Sequence, residues 1–260
     1  MAGATDFRKA CTAAVVLGAI APTVTGPALA ASACSLTPQG DGRVSAIIDT
    51  RTFRMEDGRE VRLAGIETVT TNGAAALGTL VAGRNVSLRG ETDAPDRYGR
   101  QPAFVFVDQA TTSVQSQLLA QGDALVSSTI ADKACAAELL AAEAAARRTR
   151  RGIWADSAAI KNAESPGELL ARIGQFTVVE GKVLSVRQAG ATTYVNFGRR
   201  WTRDFAVTIS RRVLPAFEAA GISPKSLENK RIRVRGWIEA RGGPRIEALL
   251  LGQIEMAGDN

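Results

Sequence analysis

The sequence predicts a mainly β protein with interspersed helices, an α+β fold in two β-rich halves. Three observations carry this. Residues 42–67 alternate apolar and polar side chains around a turn at Asp57–Gly58, the pattern of paired strands. The stretch KACAAELLAAEAAARR is Ala-rich with helical spacing. After a polar segment containing Pro166–Gly167, strand-like alternation resumes and runs towards the C-terminus. The chain has 260 residues, 45% hydrophobic and 22% charged, a globular composition long enough for two domains.

The elements follow in order. RVSAIIDTRTFRM and EVRLAGIE read as strands, and Thr71 to Gly83 as a helix. NVSLRGE is a strand, TDAPDRYGRQ a polar loop, and PAFVFVD a buried strand. TSVQSQLLAQGDALV is an amphipathic helix ending near Gly122. KACAAELLAAEAAARRTRRGIW is a strong helix, acidic early and basic late, which suits its dipole, and it stops at Gly152. RRTRR reads as its solvated last turn, and Trp154 as a core residue. Residues 158–173 read as a linker. Beyond it come QFTVVEGKVLSVRQ, TTYVNFG and DFAVTI, a helix at RRVLPAFEAAG, then KRIRVRGWIEA and RIEALLLGQIEM. Five strands with a helix between the third and fourth is the order of an OB-type barrel.

Residues 1–30 read as an export signal. FRK precedes a short apolar run, and Ala28-Leu29-Ala30 offers a cleavage site. Residues 31–157 and 174–260 are then the two domains. No later stretch is apolar for long enough to span a bilayer. The expected location is periplasmic or secreted; a lipid anchor on Cys34 is the weaker option, because ASAC lacks the usual leucine. Three cysteines are present, and Cys11 leaves with the signal. Cys34 and Cys135 remain, and in an oxidising compartment they are expected to pair. The chain has no histidine, which removes His-based triads, His general bases and most zinc sites. Net charge is +6, which weakly favours polyanionic partners or a membrane surface.

At DTRTFRMEDGREVRLAGIET, DRYGRQPAFVFVD and SVQSQLLAQGDALV…RRGIWAD the chain resembles the staphylococcal nuclease family. The three motifs occur in family order over about residues 42–156. The resemblance implies a five-stranded OB barrel with three helices, and calcium-dependent cleavage of phosphodiesters in DNA and RNA. It places the family's two phosphate arginines on Arg62 and Arg100 and its ligand-contacting tyrosine on Tyr98.

The acidic half departs from the family. Where the family reads Asp-Gly-Asp-Thr, this chain reads Asp49-Thr50-Arg51-Thr52, so Arg51 takes the place of a calcium aspartate. Where the family reads Asp-Thr-Pro-Glu, this chain reads Glu67-Thr68-Val69-Thr70. The metal aspartate becomes Glu67, and the catalytic glutamate becomes Thr70, which cannot act as a base at neutral pH. At most Asp49 and Glu67 remain as metal ligands. An Asp-to-Arg change at about 5 Å from a divalent ion is unfavourable by on the order of 10 kcal/mol before relaxation. Two placements of Arg51 are open. It either pairs with Glu67 near the vacated position, lining a basic pocket with Arg62 and Arg100, or points into solvent.

In the second half, YVNFGRRWTRDF interleaves Tyr194, Phe197, Trp201 and Phe205 with Arg199, Arg200 and Arg203. Rings stacking on bases and guanidinium groups meeting phosphates are the parts of a single-strand platform. The plainer reading sends half of those rings to the core. Trp237 alternates with Arg235 and fits either face. The expectation is an exported, hydrolytically degenerate member of the family with no cofactor. It would bind an anion such as single-stranded nucleic acid, or an envelope protein partner. The alternatives are an active phosphodiesterase using calcium, with an acidic site rebuilt from Asp49, Glu67, Asp93 or Asp96, and a structural envelope protein.

Overall fold

The alternation that the sequence shows from residue 42 belongs to a longer strand. In the computed structural model β1 runs Thr37–Asp49, and its two ends serve different neighbours. Its first part pairs with β5 (Asn85–Gly90) and its last part with β2 (Thr52–Met55). β2 pairs with β3 (Glu60–Leu63), and β3 runs parallel to β6 (Gln101–Val107), which pairs back to β5. These five strands close a barrel in the order β1-β2-β3-β6-β5. The one parallel pair needs a crossover, and the chain makes it through β4 (Ile66–Glu67), α1 (Gly73–Val81) and β5. The residues described are 1, 3, 34, 36–70, 72–127, 130, 132–219 and 221–257. The expected export signal and its cleavage site at Ala28–Ala30 lie outside the described residues, apart from Met1 and Gly3. No described helix is long and apolar enough to cross a membrane.

Helices α2 (Val114–Gln121) and α3 (Lys133–Arg148) pack on this barrel, with the short β7 (Leu125–Val126) between them pairing with β4. Ser113 caps α2 by accepting from the Ser116 N–H, and Gly122 ends it in the left-handed conformation. Gln115, fully buried, accepts from the Val105 N–H and donates to the Ala103 carbonyl, fixing α2 to β6. The first turn of α3 holds no acid, contrary to the charge order read from the sequence; Asp132 caps it by accepting from the Cys135 N–H. The last turn is basic as expected. Cys34 and Cys135 form a disulfide across 101 residues, tying the segment before β1 to the first turn of α3.

The stretch expected as a linker, 158–173, is folded. It contains β8 (Ile160–Asn162), a parallel edge strand on β9 (Phe176–Lys182), and α4 (Pro166–Leu170), whose Leu169 is buried in the second core. The second half continues with β10 (Ser185–Ala189), β11 (Thr192–Asn196), β12 (Ala206–Ser210), α5 (Leu214–Ala219), β13 (Arg231–Trp237), β14 (Glu239–Arg241), β15 (Gly243–Glu247) and β16 (Ile254–Met256). Only residues 183–184 separate β9 from β10, and Ile238 alone separates β13 from β14. Taken as two bent strands, they pair in the ring β9/β10-β11-β12-β15-β14/β13 and back to β9. The ring repeats the first barrel, including the parallel contact, here β12 with β15, and the helix between the third and fourth strands. Both halves are therefore OB-type barrels.

The barrels meet across a mixed seam. Leu125, Ala146 and Trp154 from the first side pack with Phe176 and Val178 from the second. Trp154 is buried as expected, and Arg147 of the basic turn lies over its ring. On β13 the even-numbered Ile232 and Val234 enter the second core, while Arg233 and Arg235 face the seam. Arg235 reaches Glu143 on α3 at 2.8 and 3.0 Å, Glu255 on β16 at 2.9 Å and the Val126 carbonyl at 3.3 Å. Glu143 also accepts from the Val126 N–H at 2.7 Å.

Candidate functional site

Asp49 and Thr52 are partners across β1 and β2, so Thr50 and Arg51 form the tip of a tight hairpin. The Asp49 carboxylate accepts the Arg51 backbone N–H at 2.8 Å, which holds the turn and occupies one carboxylate oxygen. The tip is clamped to the segment after β3. The Thr50 and Thr68 hydroxyls hydrogen-bond to each other. The Arg51 guanidinium donates to the Ile66 carbonyl at 3.0 Å and is ion-paired to Glu67. α1 approaches closely here: a Cβ on Gly73 would lie 3.0 Å from the Thr50 side chain, a tight contact to which Thr50 would have to yield. Arg51 thus turns inward, with 16% of its side chain exposed and 12% of Glu67.

Arg62 lies on β3 opposite Thr52, and the parallel register brings Val61 level with Gln101, next to Arg100. Arg62 is half-buried and makes no hydrogen bond or ion pair with a described residue. Burial pushes its pKa down, and the Arg51 and Arg100 charges push the same way against the pull of Glu67 and Asp49. The three arginines are therefore one electrostatic cluster in which Arg62 carries the uncompensated charge.

Arg100 is held by Asp96, which accepts from its Nε at 2.9 Å, its Nη2 at 2.7 Å and its backbone N–H at 3.1 Å, and from the Tyr98 N–H at 2.8 Å. Burial works to raise the Asp96 pKa, but these hydrogen bonds win and hold it below the usual aspartate value. The Asp96 bond likewise raises Arg100 above the usual arginine value. Tyr98 is 64% exposed, with the Arg97 and Arg100 guanidinium groups 4.7 and 4.8 Å from its ring centre. Asp93 is exposed in the same loop. The Thr70 hydroxyl is buried without a hydrogen-bond partner. Among the described residues no three Asp, Glu or Cys side chains converge as metal ligands.

On the second barrel Phe197 and Phe205 are core residues, ring centres 5.1 Å apart. Arg199, Arg200, Trp201 and Arg203 are exposed on one loop. Arg199 and Trp201 line a groove of about 700 Å³, together with residues that sequence reasoning did not single out: Arg187 from β10, Asn196 from β11, and Pro244 and Arg245 from β15. Half-buried Tyr194 also lines it. Arg200 and Arg203 stand outside the groove. β10 and β11 pair directly, but β15 joins them only through its parallel contact with β12, so no local motif marks the groove as a whole. Trp237 is 48% exposed and meets Phe176 edge-on.

The family described as staphylococcal nuclease homologue matches residues 60–156. The match takes in Arg62, Glu67, Thr70, Tyr98 and Arg100, while β1, β2 and Arg51 precede it. Among curated proteins none matches the chain.

Proposed function

We propose, for a chain whose residues 60–156 form a staphylococcal nuclease homologue domain, that the first barrel binds a phosphate-bearing anion through Arg62 and Arg100 without hydrolysing it. The observation that carries this reading is the Arg51–Glu67 ion pair. A guanidinium occupies the position that the family resemblance gives to a metal carboxylate, and it takes up the neighbouring carboxylate as well. The residues present do not fit a calcium ion, which needs several free oxygens. In that place Arg51 supplies positive charge but no Lewis acid site. At the position of the family's base, Thr70 offers a hydroxyl that does not accept a proton from water at neutral pH.

The remaining groups suit binding. Arg62 presents unpaired donors, Arg100 is oriented by Asp96, and Arg51 adds field from behind. Nucleic acid is the ligand class that the nuclease homologue domain supports. Export through residues 1–30, to the periplasm or the outside, is part of the same reading and agrees with the disulfide.

The test is cleavage of single- and double-stranded DNA and RNA with calcium, magnesium, manganese or EDTA, beside Arg62→Ala and Arg100→Ala variants. The expected result is no metal-dependent cleavage, with DNA binding about tenfold weaker in Arg62→Ala, as for a lost charge-assisted phosphate contact. Cleavage that needs a metal and disappears in both variants would establish the active-phosphodiesterase alternative.

A further inference from the structure

The groove on the second barrel lies outside the arginine cluster and is described by its own chemistry. Its aromatic parts are Tyr194 and Trp201. Tyr194 sits mid-sheet, opposite Arg187 on β10 and Thr208 on β12, with the Arg245 guanidinium 5.9 Å from its ring centre. Trp201 is 77% exposed, an uncovered indole on the groove wall.

Its charge is one-sided. Arg187, Arg199 and Arg245 line it, and none is ion-paired to a described carboxylate. The Arg245 Nε is shut off from solvent and has no hydrogen-bond partner. The lining carboxylate, Asp204, is turned to the backbone, accepting the Arg200 N–H at 2.8 Å. Asp204 packs so closely on Gly198 that a Cβ there would lie 2.1 Å from it, which fixes the acid in that inward position. The polar lining comes from Ser185 and Asn196.

We propose that this groove is a binding site for single-stranded nucleic acid, with bases stacked on Trp201 and Tyr194 and phosphates held by Arg187, Arg199 and Arg245. Flat π-faces beside guanidinium groups that no carboxylate neutralises, Arg245 keeping one bond to the Arg241 carbonyl, match a ligand that carries rings and negative charges in alternation. A duplex hides its base faces, and a simple polyanion has none. A volume of about 700 Å³ lies in the range of sites that enclose small organic groups, enough to take bases rather than a bare phosphate.

The experiment is fluorescence anisotropy of the full chain with labelled dT15 and rU15, a 15-base-pair duplex and labelled heparin. Trp201→Ala is expected to weaken single-strand binding about tenfold, as for one lost base stack. Trp201→Phe is expected to recover most of it, and heparin affinity to stay unchanged in both. The tighter of dT15 and rU15 identifies the sugar. The slope of log affinity against log salt is expected to be about 2 units shallower in an Arg187→Ala/Arg199→Ala/Arg245→Ala variant. Single-strand binding that Trp201→Ala leaves intact, no binding at all, or equal losses for heparin would overturn the proposal. The Arg62→Ala variant separates the two barrels: its Trp201 dependence is expected to persist, and a failure confined to Trp201 leaves the first-barrel reading standing.

Discussion

Arg235 has 1% of its side chain exposed, and Glu143, its partner across the seam, has none. Burial alone would push the Arg235 pKa down; Glu143 first, and then Glu255, outweigh it and raise the pKa instead. Two charges out of water stabilise a fold only while they keep each other. Arg235→Met is expected to lower the unfolding free energy by about 3 to 5 kcal/mol, read from urea titration. Arg235→Met combined with Glu143→Leu should recover part of that, because the fully buried carboxylate is gone and Glu255 keeps Arg233, although the Val126 N–H loses its acceptor. Glu180, paired with Arg231 and Arg233, gives a pH test. Burial raises its pKa, but the two arginines outweigh this and leave it below the ordinary 4.5. A carboxylate lowered on folding contributes stability that is present above the unfolded value and lost as pH falls through the folded one. Wild type should therefore melt above Glu180→Gln at pH 7, and the gap should close as the pH falls below 4.5. At this scale the sequence was partly legible. That an arginine, Arg51, stands where the family resemblance expects a metal aspartate could be read from the motif. Its inward turn onto Glu67 could not, because that depends on the Thr50–Thr68 clamp from a segment 18 residues away.

The elements were legible where local pattern dominates, as in α3 and the alternating strands. They were obscured where a strand or helix depends on distant partners. β1 starts at Thr37, inside a run with Pro38 and Gly40, because β5 supplies its pairing. β8 and α4 looked like linker because their apolar side chains are few and the core they join lies further along the chain. Gly122 and Gly152 form the joint between α2 and the 3₁₀ turn at Gly152–Ala155. Both have positive φ, and the Ile153 N–H donates to the Gly122 carbonyl at 3.0 Å. A Cβ on Gly152 would lie 2.4 Å from that carbonyl oxygen, so backbone would have to move. Gly152→Ala is expected to cost about 1 to 3 kcal/mol, seen as a lower melting temperature. The disulfide closes a loop of 101 residues, for which chain entropy gives about 4 to 5 kcal/mol. Cys34→Ser should lower stability by about 2 to 4 kcal/mol, and dithiothreitol should then change nothing further.

At the scale of the molecule, residues Ala33–Asn260 group as one compact unit although the chain builds two barrels. The apolar patch around Trp154 and Phe176, and the ionic network through Arg235, join them along one seam. Differential scanning calorimetry is expected to show one transition, with calorimetric and van't Hoff enthalpies in agreement. Two resolved transitions would mean that one barrel melts while the other stays folded without the seam. The second barrel was legible as a strand order, but its seam was not, since Arg235 reads in sequence like any arginine on an exposed strand face.

The seam also bears on how such a chain can descend. Barrels joined by a loose tether can be exchanged between genes, each arriving whole. Here a crossover between residues 157 and 174 would deliver Glu143 without Arg235, or Arg235 without Glu143. Either recombinant would begin life with an orphaned charge at its heart, so an exchanged half would have to bring its own match for the charge it meets.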